Sequence, residues 1–488
     1  MITRIKINGF KSLLDTELYF GSFTCIAGAN AIGKSNFFDA IEFLSKLADN
    51  RIIDAAMSIR SEDKKHSNYK DIFFKSGESY MKTIDFEIDM LIQGEAEDDS
   101  GQAAKASITS LRYSLSLKLN QDETSNNPIQ IVKEELEPIS IGNIKKLIFF
   151  ENSKEWLKSA AWGRRANSPF ISTLNDKVKL HSDAQEKKQG RTTEYSVEKM
   201  PRTFLSTVTA ESPTAFLVRY EMRNWMLLQF EPSALRQPNT IFEINNAKVT
   251  ENGHNLPATL YRLNNTGEKD VYQNITNQVK DLVTNIKDVD VDKDDKRDLL
   301  TLQVKFKDGL ILPAQSLSDG TLRYLGLAVI NEDNKNSGLI CMEEPENGIN
   351  PSKIDAIVEL LENIATDTSL EINTDNPLRQ VIINTHSPIV VSSVSADSLY
   401  LASEKEVYSE YFKKKIKHTT FSAIKGTWKT QVLGIPETTL GEIDVYLGIF
   451  EKNDYKEAYQ NLLIESTTKR PKRTVKEYFE KQKDLFSQ

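Results

Sequence analysis

Residues 28–35 read GANAIGKS and fit the spacing G-x-x-x-x-G-K-[ST]. Glycines let the backbone curl so that successive N–H groups point at one phosphate, and Lys34 supplies a point charge. Ser35 offers a hydroxyl to Mg²⁺ at the start of a helix, where unpaired N–H groups also favour negative charge. The flanks agree with that chemistry. Phe23, Thr24, Cys25, Ile26 and Ala27 read as a short buried strand, and Phe37, Ile41, Leu44 and Ala48 recur at helical spacing. The bland alternative is a chance glycine-lysine turn.

The chain has 488 residues, enough for two or three domains with a core in each. Its formal charge of -8 gives no overall basic footprint for nucleic acid, although a local basic face is compatible with it. Cys25 and Cys341 fall in apolar, strand-like runs, which suits reduced core thiols better than a disulfide or redox pair. No apolar run reaches the roughly 18 residues of a membrane helix, and the opening MITRIKINGF lacks a secretory apolar segment. The expectation is a soluble, cytoplasmic protein without a membrane partner.

Alternation of Ile2, Ile5 and Ile7, then Leu14, Leu18 and Phe20, predicts a hairpin turning through residues 9–12 beside the 28–35 loop. Strands are expected near 83–92, 108–119 and 129–136 as an antiparallel lobe, with the acidic, small-residue stretch 94–106 as an exposed loop. Residues 215–230 read as a helix, and Tyr272, Ile275, Val279, Leu282 and Ile286 as another. Leu300, Leu302, Val304 and Phe306 alternate up to the turn pair Asp308 and Gly309.

Three further strand-to-loop junctions carry chemistry. Ser318 and Gly320 open a helix over 322–330, where the plain reading is an N-cap and the functional one an anion site. The apolar run 339–342 ends in Glu343 and Glu344. Adjacent carboxylates at a strand end are costly to bury without a cation, so a Mg²⁺ ligand beside a water-activating base explains them, the alternative being a solvated acidic turn around Pro345 and Glu346. The run 381–383 leads to Asn384, Thr385 and His386, where an α/β sheet places its ligands.

The order GANAIGKSN, LSDGT, LICMEEPE and INTHSP resembles the ABC-type ATPase heads of the RecF, SMC and OLD class, over residues 28–388. The resemblance implies an α/β P-loop head: a mixed sheet with flanking helices and an antiparallel β lobe, using ATP and Mg²⁺. It makes Gly28, Asn30, Ala31, Ile32, Gly33, Lys34, Ser35 and Asn36 the nucleotide loop, with Lys11 and Ser12 as a further contacting pair. Ser35 and Glu343 become the metal ligands, Glu344 the catalytic base, His386 the switch histidine, and Ser318 with Gly320 the signature that completes a second copy's site. Where the family has Asp, this chain has Glu343. No glutamine before the antiparallel strands stands out as the family's Q-loop residue.

That frame divides the chain into an N-terminal ATPase lobe (1–150), a helical insertion (151–290), a C-terminal ATPase lobe (291–435) and a helical tail (436–488). Residues 255–261, SLSDGTLRYLGL and Gly426, Thr427 and Trp428 are most similar to the Septu ATPases (PtuA) of bacterial anti-phage defence. This likeness implies a homodimer or a multiple of dimers regulating a separate HNH-type nuclease, with DNA met through the complex. The runner-up is a RecF- or SMC-like repair ATPase that binds DNA and loads other proteins. No carboxylate pattern for a nuclease centre stands out after His386. In the tail, Thr474 and Glu477 cap a helix with Val475, Tyr478, Phe479 and Phe486 on one face, behind the basic Lys469, Arg470, Lys472 and Arg473. An apolar stripe of that kind predicts a docking site for the nuclease.

Overall fold

A computed structural model describes residues 1–59, 68–120, 127–164, 168–181, 183, 194–265, 270–280, 282–283, 285–334, 337–432 and 434–438. The predicted docking tail lies outside the described residues from 439 onward.

The strand Phe23–Ala27 is buried at every position. It sits inside a seven-stranded sheet with the order Met226–Leu228, Gly338–Glu343, Arg379–Thr385, Phe23–Ala27, Leu399–Ser409, Lys414–Ile424 and Glu437–Thr438. The first five of these run parallel, and the hairpin of Leu399–Ser409 with Lys414–Ile424 is antiparallel. Parallel strands are covered on both faces, which is why they read as continuous apolar runs. Alternate residues feed opposite cores. Ile26, Leu339, Cys341 and Ile382 join the helix Lys34–Leu47 on one face, while Cys25, Ile340, Met342 and Ile383 meet the helices Asp319–Glu332 and Ile354–Ile364 on the other. Cys25 and Cys341 thus lie on opposite faces as free, buried thiols, both pushed up in pKa by burial.

The antiparallel lobe is an eight-stranded sheet. Thr83–Leu91, Ser110–Leu119 and Ile129–Pro138 form its middle, and the N-terminal hairpin of Ile2–Asn8 and Thr16–Tyr19 closes one side. The other side corrects the expected helical insertion over 151–290. Ile171–Leu174, Lys177–Leu180 and Glu194–Ser196 extend the same sheet, so this stretch is not helical throughout. A second correction concerns 215–230: the helix Pro213–Arg223 stops at Asn224, whose side chain bonds the Tyr220 carbonyl, and Met226–Leu228 becomes the edge strand beside Gly338–Glu343. Short apolar runs fit a buried strand as well as a helix. The expected loop at 94–106 contains a small hairpin, Glu95–Glu97 with Ala103–Lys105, closed where Asp98 accepts from the Ser100 and Gln102 amides.

A third sheet carries Ile286–Asp294, Leu299–Phe306 and Ile311–Pro313, the last two joined through Asp308 and Gly309 as the turn pair predicts. Among the described residues no helix is long and apolar enough to cross a membrane.

Candidate functional site at the carboxyl edge of the parallel sheet

Register places four strand ends side by side. Ala27 pairs with Thr385, Glu343 with Asn384, and Leu228 with Met342, so the loop after Ala27, His386, Glu344 and Gln229 all leave the sheet at one edge. Two cross-strand bonds fix this edge: Gly28 N–H to the Thr385 carbonyl at 3.2 Å, and Glu344 N–H to the Asn384 carbonyl at 2.9 Å. Ligands of open α/β sheets bind at such carboxyl ends.

The 28–35 loop turns through positive φ at Ala31 (65°) and Gly33 (93°) and then opens the helix Lys34–Leu47. A Cβ at Gly33 would stand 2.2 Å from Thr419 Oγ1 and 2.4 Å from Ser12 Oγ, so side chains are excluded there for space as well as for backbone angle. Asn30 and Ala31 are exposed at the tip, while Ile32, Ser35 and Asn36 are half-buried. Lys34 is buried, with Nζ donating to the Gly28 carbonyl at 2.7 Å and the Ala29 carbonyl at 2.8 Å. Burial lowers its pKa, opposed by the charges of Glu344, Glu343 and Glu346. A desolvated ammonium at the mouth of a curled loop is a strong partner for phosphate.

Ser12 meets this loop, whereas Lys11 is engaged by the helix that follows it. Ser12 Oγ accepts from Asn36 Nδ2 at 2.7 Å and shares a 2.6 Å bond with Thr419 Oγ1, which in turn donates to the Ile32 carbonyl at 2.7 Å. Lys11, at φ 45°, pairs its ammonium with the buried Asp39 of the following helix at 2.7 Å. Thr419 is a support that no sequence motif marks. Its strand, Lys414–Ile424, reads only as alternating polar and apolar residues.

Opposite the loop, three consecutive residues each hold a different glutamate. Asn384 Nδ2 donates to Glu343 Oε1 at 3.2 Å, the Thr385 hydroxyl to Glu346 Oε1 at 2.5 Å, and His386 Nδ1 lies 2.8 Å from Glu344 Oε1. Asn347 Nδ2 adds a 2.8 Å bond to the other Glu344 oxygen. Glu344 takes φ 46°, a left-handed position uncommon for a side-chain-bearing residue, and that turn aims its carboxylate at His386. The donors available to a cation are hard oxygens, the Ser35 hydroxyl and the Glu343 carboxylate, which suit Mg²⁺. Among the described residues no three His, Cys, Asp or Glu side chains gather as a self-contained metal cage. Mg²⁺ is usually held by one or two carboxylates, waters and substrate phosphates instead. Glu346 Oε2 is buried without a hydrogen-bond partner among the described residues.

Ser318 and Gly320 sit at the start of the helix Asp319–Glu332. Ser318 Oγ caps the helix Asp319–Glu332 by accepting from Thr321 N–H at 3.2 Å, so the plain N-cap reading holds within one chain. Among the described residues, no hydrogen bond of either residue runs to residues 28–35. Gly320 packs on the loop after Glu344, where a Cβ would meet the Gly348 carbonyl at 2.6 Å. Arg236 clamps the start of the helix, donating to the Leu317 carbonyl at 2.9 Å and to Asp319 at 2.5 Å.

Gln229 escapes the sequence reading. It follows the edge strand Met226–Leu228 one position past the pair Leu228 and Met342, beside Glu343, and is exposed there. The signal available was an apolar run ending in a polar residue, the same pattern as at Glu343 and Asn384, hidden by treating 215–230 as one helix.

Residues 256–392 match a family described as "AAA domain, putative AbiEii toxin, Type IV TA system". The match spans Ser318, Gly320, Glu343, Glu344 and His386, and it supports an ATPase. No curated protein matches the sequence. Solved structures similar to the chain include an SMC head bound to the C-terminal winged-helix domain of ScpA, at 12% identity and TM-score 0.44, covering 87% of this chain and 98% of that one. The SMC head domain from Thermotoga maritima is similar at 12% identity and TM-score 0.37, covering 87% and 99%. An SMC head with an extended coiled coil bound to the C-terminal domain of ScpA, from Pyrococcus furiosus, is similar at 11% identity and TM-score 0.42, covering 86% and 96%.

Proposed function

We infer that this chain is an ABC-type ATPase that pairs head-to-tail with a second copy around ATP and Mg²⁺ and regulates a separate HNH-type nuclease in anti-phage defence. The observation that carries the ATPase reading is the convergence, at one sheet edge, of Lys34 in a glycine-turned loop with a Glu344–His386 pair 2.8 Å apart. Lys34 and the loop amides hold the phosphates. Glu344 accepts the proton of the attacking water, and His386 keeps that carboxylate oriented. Ser35 and Glu343 would hold Mg²⁺, which when bound would offset the negative charge of the phosphates. Gln229 takes the place of the Q-loop glutamine. Ser318 and Gly320 serve the partner's nucleotide, and loss of the γ-phosphate loosens the pair.

The nuclease-regulating role rests on the likeness of residues 255–261, SLSDGTLRYLGL and 426–428 to Septu ATPases, with the end of the 436–488 tail, after about Ser466, as the docking segment. Two experiments test the reading. Lys34→Ala and Ser318→Arg chains, each inactive alone, should regain hydrolysis when mixed, because one intact composite site forms per heterodimer. Confirmed heterodimers with no recovery would refute head-to-tail pairing. Co-expression with the neighbouring gene product should yield a complex that loses the nuclease when residues 467–488 are deleted. A chain that instead binds DNA junctions by itself in an ATP-dependent way would favour the repair class.

A further inference from the structure

The series Asn384, Thr385 and His386 reaches three glutamates, and the reaction above uses only two of them. The third, Glu346, is 9% exposed. Its Oε1 accepts the Thr385 hydroxyl, and that hydroxyl also accepts from Ser387 N–H at 2.8 Å, so the bond braces the turn that presents His386. Its Oε2 is buried with no hydrogen-bond partner among the described residues. A carboxylate oxygen in that state is costly, and a neutral amide would brace Thr385 equally well. Structural bracing therefore accounts for one oxygen and leaves the other unexplained. Thr385, which holds the carboxylate, pairs with Ala27 and takes the Gly28 N–H on its carbonyl, so Glu346 is tied to the edge from which the 28–35 loop leaves, and its charge acts on Lys34 together with those of Glu343 and Glu344. What suits a lone buried acceptor there is a donor brought by the ligand. Mg²⁺ gives up its waters reluctantly, and their protons are strong donors.

We propose that Glu346 is the outer carboxylate of the magnesium site, its Oε2 accepting a hydrogen bond from a water on the ion that Ser35 and Glu343 hold. This rests on the reading of the edge as a Mg·ATP site. Outer-sphere partners of this kind set metal affinity, and their loss costs about 10- to 100-fold.

The test uses the full-length chain, a non-hydrolysable ATP analogue, and Mn²⁺ followed by electron paramagnetic resonance, with Mg²⁺ titrated in competition. Glu346→Gln keeps an oxygen for Thr385 but puts an amide where Oε2 stands. It should raise the metal concentration for half-saturation about tenfold while leaving the thermal midpoint near the parent value. Glu346→Asp, which keeps the charge but shortens the arm, should shift metal binding in the same direction, and it decides the matter if the amide variant fails to fold. Parent-like half-saturation in a folded variant would overturn the role of Glu346. A parent chain whose analogue binding is indifferent to metal would overturn the site reading itself, a separate outcome.

Discussion

Glu134 in the antiparallel lobe and Glu346 at the edge of the parallel sheet are both buried carboxylates pushed upward in pKa by burial, yet their surroundings differ. Glu134 has both oxygens occupied: Oε2 accepts from Phe204 N–H at 2.6 Å, and Oε1 from Leu205 N–H at 2.9 Å and the Tyr113 hydroxyl at 3.1 Å. It ties the start of the 204–207 segment to the sheet and has nothing left to offer a ligand. Glu346 has one oxygen free, in a cluster with Glu343, Glu344 and Lys34. Satisfied buried charge belongs to the fold, whereas crowded and incompletely satisfied charge is tolerated where a ligand completes it.

The largest effect should come from the crowded side. Glu344→Gln keeps the shape of the carboxylate but cannot take the proton from water, so kcat should fall by about 10²- to 10⁴-fold with ATP binding retained. Stability should not fall with it, because the substitution removes one of three neighbouring negative charges. Steady-state hydrolysis, ATP binding and a thermal melt on the same preparation check all three points. Parent-rate turnover would place the base elsewhere, and a collapse in melting temperature would erase the contrast with Glu134.

On the satisfied side the effect belongs to stability and pH. Burial raises the Glu134 carboxyl from an ordinary 4.5 to about 7. The folded chain therefore holds this proton more tightly than the unfolded chain does. The contribution is fully present below pH 4.5 and drains away as pH rises to about 7, with a slope of up to about 1.4 kcal/mol per pH unit. Denaturant unfolding at pH 5, 6, 7 and 8 should show this slope in the parent and lose it in Glu134→Gln, with the KM for ATP unchanged. A slope that survives the substitution would assign it to other groups.

How much of this contrast the sequence announces depends on the kind of interaction. The loop at 28–35, the Glu343–Glu344 pair and His386 are legible because each follows a short apolar strand, and local spacing is enough to see it. The antiparallel middle is legible for the same reason, through the alternation from Ile84 to Ile88 and from Leu111 to Leu117. Non-local pairing is what hides the rest. Nothing near Met226 says that its strand lies beside Gly338–Glu343, so Gln229 stays unread, and the strands at 171–180 are too short to declare themselves without the sheet they extend. Glu346 reads as part of an acidic turn until Thr385, 39 positions later, is seen to hold it.

Thr419 gives the finest probe of the contrast, since it is a buried polar group that is satisfied and yet stands at the site. Its hydroxyl joins Ser12 Oγ to the Ile32 carbonyl, so the phosphate loop hangs partly from a strand nearly 400 positions away. Thr419→Val has nearly the same volume and removes both bonds. Ser12 keeps its bond from Asn36, and the loop keeps the Gly28 bond to Thr385, so the loop should stay folded but be held less firmly. One neutral hydrogen bond contributes about 1 kcal/mol, which corresponds to roughly a fivefold rise in the Kd for a fluorescent ATP analogue. Thr419→Ser, which restores the hydroxyl, should return most of the affinity. If the valine variant binds as the parent does while its melting temperature drops, Thr419 serves the fold alone and belongs with Glu134. If affinity falls at an unchanged melting temperature, its bonds serve the nucleotide, and satisfied polar groups at this edge must then be counted with the site.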